Sequence, residues 1–177
     1  PPMPGEPRTL SVAPLTRGDL PAALGLQRET YPPFLVEDEA VFLNRLDLTA
    51  SYCLAAKQAG RLGGYLLAHG WRRRSPPALG TLVDDGAPVE VLFIHDLAVA
   101  PGCRGQGVGE RLIARAFALA AHDGLRCAEL IAVEGAAGYW RRLGFTAGAL
   151  SDALSAKVRP YGTLACWMTR DIPPPRP

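Results

Sequence analysis

The stretch from Leu92 to Gly109 constrains this chain more than any other: Leu-Phe-Ile-His-Asp-Leu-Ala-Val-Ala-Pro-Gly-Cys-Arg-Gly-Gln-Gly-Val-Gly. An apolar strand breaks at Pro101-Gly102, passes through Gly105, Gly107 and Gly109, and enters an amphipathic helix. A strand that empties into a glycine-rich turn and a helix forms an anion-binding device. The first backbone N–H groups of the helix have no intrahelical acceptor, and the helix dipole adds partial positive charge there. Glycine lets the backbone take positive φ and approach an anion closely. Two nucleotide-binding devices are excluded by spacing. A P-loop needs a Lys-Ser or Lys-Thr pair after its glycines, and none follows here. A dinucleotide fingerprint needs a third glycine where Glu110 or Leu112 stands. What remains is Arg104-x-x-Gly107-x-Gly109 behind Leu97-Ala98-Val99. The plain alternative is a corner whose glycines serve only packing.

The chain has 177 residues, enough for one domain with its own core. Its net charge of +2 is too small to make nucleic acid or an anionic membrane the main partner. Cys53, Cys103, Cys127 and Cys166 lack metal or redox spacing and read as free thiols, so no metal is expected. No leader-like or membrane-length apolar run is visible, and the expected location is the cytoplasm.

Residues 1–8 read as a proline-rich tail, 9–171 as one domain and 172–177 as a second tail. A strand is expected at 9–14. A helix follows from Thr16 or Asp19 and stops at Tyr31-Pro32-Pro33. A second helix is expected over 37–46, with Glu37-Asp38-Glu39 in its first turn, where negative charge suits the dipole. An acidic rim for a cationic amine is the other reading of that run. Strands at 51–58 and 62–71 form a hairpin around Ala59-Gly60. Residues 72–88 read as a long mobile loop, 89–99 as the central strand and 107–122 as the main helix, stopped by Gly124. A strand at 127–133, a short helix at 136–143 and strands after Phe145 and over 163–170 complete the chain. This is an α/β (α+β) order with one mixed central sheet of about six to seven strands flanked by about four helices.

Arg104-x-x-Gly107-x-Gly109, with the strand, Leu97-Ala98-Val99 and the proline before it, resembles motif A of the GNAT superfamily of acyl-CoA-dependent N-acyltransferases. The order of elements is also that of the GNAT fold. The resemblance implies that acetyl-CoA is the cosubstrate and that the backbone of Leu97, Ala98 and Val99 bonds its pantetheine arm. It also implies that Arg104, Gly105, Gln106, Gly107, Val108, Gly109 and Glu110 cradle its pyrophosphate. Ala136 to Phe145 resembles the motif B region, aligned on Gly144-Phe145. The family commonly places there a tyrosine that protonates the departing thiolate. Trp140 holds that position here, and Trp lacks a suitable proton. Tyr139 is one residue away, about 100° around a helix, and core packing is the plain reading of at least one of the two.

Amide formation meets one obstacle: an alkylamine has a pKa of roughly 10 and is an ammonium at neutral pH. Alternation puts Phe93, His95 and Leu97 on one face of the strand and Asp96 on the other, so His95 and Asp96 are not expected to act together. The family often places its base at the position of Phe93, which cannot titrate. His95 is suited to neutral-pH proton transfer, and a packed, hydrogen-bonded histidine is an equal reading of it. Asp96 is the alternative base. His95-Asp96-Leu97-Ala98-Val99 is also similar to a segment of the arylalkylamine (serotonin) N-acetyltransferases, which relay the proton through two histidines; only the second is present here.

The expected activity is therefore direct acetyl transfer from acetyl-CoA to a primary amine, small-molecule or peptide, in a ternary complex. A homodimer is left open. The rival is a non-catalytic acyl-CoA sensor or interaction module on the same fold.

Overall fold

The computed structural model describes residues 9–177, so the expected tail at 1–8 lies outside the described residues. Seven strands form one sheet: β1 (Leu10–Pro14), β2 (Leu54–Gln58), β3 (Arg61–Trp71), β4 (Val91–Val99), β5 (Cys127–Ala132), β6 (Thr146–Ala147) and β7 (Cys166–Asp171). Their spatial order is β1-β2-β3-β4-β5-β7-β6. Five α-helices accompany them: α1 (Leu20–Thr30), α2 (Glu39–Asp47), α3 (Val108–His122), α4 (Ala137–Arg142) and α5 (Asp152–Val158). None is long and apolar enough to cross a membrane.

Two layers of core follow from the apolar stripes of these helices. On one face of the sheet, Leu112, Ile113, Ala116 and Phe117 of α3 pack on Leu66, Ala68, Leu92 and Ile94. On the other, Leu20, Ala23 and Leu26 of α1 and Phe42 of α2 pack on Ala55, Tyr65, Leu67 and Ala98. Each such buried aliphatic or aromatic side chain contributes about 1.5–3 kcal/mol relative to exposure. The α3 stripe ends where expected, since Gly124 takes φ +89° and its N–H bonds Ala121 O.

β4 is the hinge of the architecture. It pairs antiparallel with β3 along most of its length, but parallel with β5 only at Leu92–Ile94. Beyond Ile94 the two parallel strands part. The register with β3 also slips there: Leu67 faces Asp96 and Ala68 faces Ile94, which leaves His95 as an extra, bulged residue. A bulge reverses the alternation downstream. Ile94 packs on the α3 side, yet so do Leu97 and Val99, while Ala98 joins the α1–α2 side. The expected common face of Phe93, His95 and Leu97 is thereby corrected.

Further expectations change. α2 starts at Glu39, so Glu37 stands before the helix rather than in its first turn. α5 stands where only strands are expected; Ser151 caps it by accepting from Leu154 N–H at 3.2 Å, and Leu154 and Val158 give it a buried side. Residues 72–90 form a loop, but not a loose one. Trp71 Nε1 donates to Ser75 O (2.8 Å), Tyr161 Oη to Pro77 O (2.8 Å), and Asn44 pairs twice with Val83 (2.9 and 3.0 Å). At the far end of the chain, Ile172 is buried and donates its N–H to Arg126 O, one residue past the expected edge of the domain.

Candidate active site

Where β4 leaves β5, a cavity of about 750 Å³ opens between them. Its walls include β4 from Phe93 to Leu97, the turn before α3, the start of α4 and the segment ahead of α2. Every candidate residue on β4 and in the glycine turn except Ala98 and Gln106 lines it. Ala98 packs into the α1–α2 core instead, and Gln106 is exposed, donating to Gly102 O at 3.1 Å.

At one end stands the glycine turn. Gly105 and Gly107 have φ of +76° and +73°, which a side chain rarely tolerates. Gly107 is the N-cap of α3, whose ladder begins with Arg111 N–H bonding Gly107 O at 3.1 Å. The N–H groups of the first helical turn are therefore open to a ligand. Gly109 leaves no room for a Cβ, because the Tyr139 hydroxyl occupies that place. Arg104 and Arg142 bring the positive charge of the cavity wall to this end. Of the two motif B aromatics, Trp140 is buried against Phe145, with ring centroids 5.4 Å apart. Tyr139 reaches the turn, and burial, followed by the charge of Glu110, raises its pKa.

At the other end the polar groups are side chains drawn from distant parts of the chain. His95 Nε2 lies 2.5 Å from Glu37 Oε1, with both side chains at least 95% buried. The other oxygen of Glu37, Oε2, accepts Gly80 N–H at 2.7 Å. Gln27 clamps the Glu37 backbone, accepting its N–H (2.7 Å) and donating to its carbonyl (3.0 Å). Burial pushes the Glu37 carboxyl upward, but the hydrogen bond and charge of His95 outweigh it, so its pKa falls below the ordinary value. An ionised Glu37 accepts, so Nε2–H of His95 donates, and whenever the ring is neutral its lone pair falls on Nδ1. Nδ1 is buried and has no partner among the described residues.

Asp96 comes to the same wall. Its Oδ2 accepts from Tyr65 Oη at 2.6 Å, while Oδ1 is buried and unpartnered among the described residues. Burial pushes its carboxyl up to about 6, against the lowering effect of the neighbouring tyrosines. Tyr31 Oη donates to Leu97 O at 2.7 Å and ties α1 to β4 just past the bulge. The bulge thus brings His95 and Asp96 to one cavity, where strict alternation separates them.

Glu37, Gln27, Tyr31 and Tyr65 were not among the expected site residues. Of the acidic run, Glu39 stands in the first turn of α2 as the dipole reading expects, whereas Glu37 stands ahead of the helix and lines the cavity. Nothing in the local pattern marks Tyr65 or Gln27, whose roles arise from contacts across the fold.

The sequence model of the acetyltransferase (GNAT) family matches residues 20–145. No curated protein matches the chain in sequence at a significant level. Among solved structures, the loading GNATL domain of CurA from Lyngbya majuscula is similar with a TM-score of 0.73, at 12% identity over 93% of this chain and 98% of that one. The ribosomal-protein-S18-alanine N-acetyltransferase from Escherichia coli gives 0.67 at 17% identity, over 93% and 94%. PaiA N-acetyltransferase from Thermoplasma acidophilum, in complex with coenzyme A, gives 0.65 at 12%, over 92% and 99%.

Proposed function

Because the chain belongs to the acetyltransferase (GNAT) family, we propose that it is an N-acetyltransferase that moves the acetyl group of acetyl-CoA directly onto a primary amine in the same cavity. The observation that carries this reading is the Glu37–His95 pair opening on the same cavity as the glycine turn. An anion site alone fits any acyl-CoA binder. An oriented base beside it fits chemistry on an amine.

The residues divide the work. Backbone N–H groups from Gly107 to Glu110, with Arg104 and Arg142, hold the pyrophosphate. Among the described residues, the edge of β4 beyond Ile94 has no strand partner on the β5 side, and the backbone of Leu97 to Val99 offers polar groups there to the pantetheine arm. Nδ1 of His95 takes the ammonium proton, directly or through one water. Glu37 holds the tautomer that leaves Nδ1 free and stabilises the imidazolium that forms. The carbon–nitrogen bond forms as the carbon–sulfur bond breaks, and the thiolate takes a proton from the Tyr139 hydroxyl or from water. A second reading makes Asp96 the base; its unpartnered Oδ1 and its carboxyl near 6 favour it.

Two measurements on the full chain test the proposal: calorimetric binding of acetyl-CoA against ATP, and thiol release with a panel of amines. Acetyl-CoA binding with amine-dependent thiol release is the expected result. Binding without release by any amine leaves the sensor reading, and absence of binding removes both.

A further inference from the structure

We infer that Arg45 is a positioning residue for the reaction: from behind the cavity wall it holds Glu37 in place and offsets part of its negative charge, which sets how tightly the Glu37–His95 pair keeps a proton. The inference rests on the acetyl-transfer reading and adds a third member to its base.

Arg45 stands on α2 and is fully buried. A guanidinium stays protonated in a protein, and one taken wholly out of water needs an anion near it. Among the described residues, no carboxylate lies within ion-pair distance of Arg45. Its Nη1 donates to two neutral oxygens, Thr81 O (2.9 Å) and Asn44 Oδ1 (2.5 Å). Its Nε and Nη2 are buried with no acceptor among the described residues, so the charge is not cancelled by contact and acts at range. The anion it acts on is Glu37, and the loop ties the two together. Glu37 Oε2 accepts the N–H of Gly80 (2.7 Å), and Arg45 donates to the carbonyl of Thr81, the next residue. The positive charge of Arg45 helps to hold the Glu37 carboxyl below its ordinary range, and Glu37 in turn opposes the burial that lowers Arg45.

The other groups around the pair cannot do this work. Asp96 lines the same wall, as does Glu134, which approaches Gly162; each, when ionised, favours the protonated pair. The phenols of Tyr31, Tyr65 and Tyr161 and the thiol of Cys53 are neutral at pH 7, because burial pushes all four upward. His69 on β3 is neutral too, pushed down to about 3 by burial. Arg104 and Arg142 stand at the glycine-turn end. Arg45 is the fixed cation of this set. A buried histidine beside uncompensated carboxylates keeps its proton, and a base that keeps its proton cannot take one from an ammonium. With Arg45 behind it, Glu37 stays ionised and still orients the ring, but pulls less on the proton.

The experiment, on the full chain, compares Arg45→Gln, which removes the charge, with Arg45→Lys, which keeps it. One readout is the pH profile of kcat/KM from thiol release. The other is an NMR titration of the ¹⁵N-labelled His95 ring without substrate. In Arg45→Gln the acid limb of the profile and the ring titration are both expected to move up by about one pH unit, and Arg45→Lys is expected to restore most of that shift. Tyr161→Phe frees the same loop from its bond to Tyr161 at Pro77 O without changing a charge, and is expected to move neither. If Arg45→Gln does not fold, stability decides: Glu37→Gln combined with Arg45→Met is expected to be more stable than Glu37→Gln alone, because no unpaired guanidinium stays buried. No shift in Arg45→Gln, the same shift in Arg45→Lys, or simple addition of the two losses in the double variant overturns the inference. A shifted ring titration with no thiol release from any amine supports the hold of Arg45 on the pair and removes the acetyl-transfer reading instead.

Discussion

The two ends of the cavity are built by different means. The glycine-turn end is backbone: its polar groups are N–H groups of consecutive residues, aimed by Gly105 and Gly107 at positive φ and by the start of α3. The other end is side chains: Tyr31 from the end of α1, Glu37 from the segment before α2, His95 and Asp96 from the bulge of β4 with Tyr65 of β3 behind Asp96, and Tyr161 after α5. One end depends on about ten adjacent residues. The other depends on the whole fold being in register. A backbone site suits a group common to many reactions, whereas a side-chain site can be altered one residue at a time.

That contrast can be broken most sharply at His95. His95→Ala is expected to lower kcat/KM by about 10²–10⁴ at neutral pH, with the residual rate rising as the amine loses its proton to solvent. Acetyl-CoA affinity should hardly move, because the backbone end is untouched. Steady-state kinetics with calorimetry decides this, and an equal loss of cosubstrate affinity would show that the two ends are not separable.

The reverse experiment is Gly107→Trp. A bulky side chain at φ +73° strains the turn and fills the anion cradle. A loss of about 100-fold in acetyl-CoA affinity is expected, with the sheet intact by circular dichroism. Unchanged affinity would mean that the glycines serve packing alone.

Asp96 sharpens the comparison through pH. Its folded carboxyl titrates near 6, above the ordinary value of 3.8. A raised folded pKa favours the folded state at low pH, and that contribution disappears as pH climbs through the folded value. Ionising Asp96 therefore costs stability above pH 6. Asp96→Asn is expected to gain on the parent by ~2–3 kcal/mol between pH 4 and pH 7.5, read from unfolding at each pH. A constant difference across that range would place Asp96 in an ordinary, hydrated setting.

The smallest effect is expected at Tyr161→Phe, which removes the bond to Pro77 O while keeping the ring in the wall. About 1 kcal/mol of stability and a few-fold rise in KM for the amine should follow, with acetyl-CoA binding unaltered. A change in acetyl-CoA binding instead would tie the loop to the wrong end of the cavity.

Much of this protein was legible before its fold was known. The seven-stranded sheet, the α3 stripe, the Gly124 stop and the turn from Arg104 to Glu110 all follow from local rules: alternation, helical period, proline and glycine. The exceptions are instructive. The few residues of α5 give a weak period, although Ser151-Asp152 marks its start. An acid at a helix start is ordinary, so Glu37 looks like part of α2; the Gln27 clamp that draws it inward joins residues ten apart.

The sequence by itself determined the backbone end, since a turn's φ values and the open N–H groups of a helix start are properties of neighbouring residues. Tertiary structure alone decided the side-chain end. Pairing with β3 inserts the bulge at His95, the bulge turns His95 and Asp96 into one cavity, and packing of α1 and the α2 approach brings Tyr31 and Glu37 to meet them. The physical reason is range. A backbone conformation is chosen by sterics over a few bonds, but which buried charges face one another depends on the register of strands far apart in the chain.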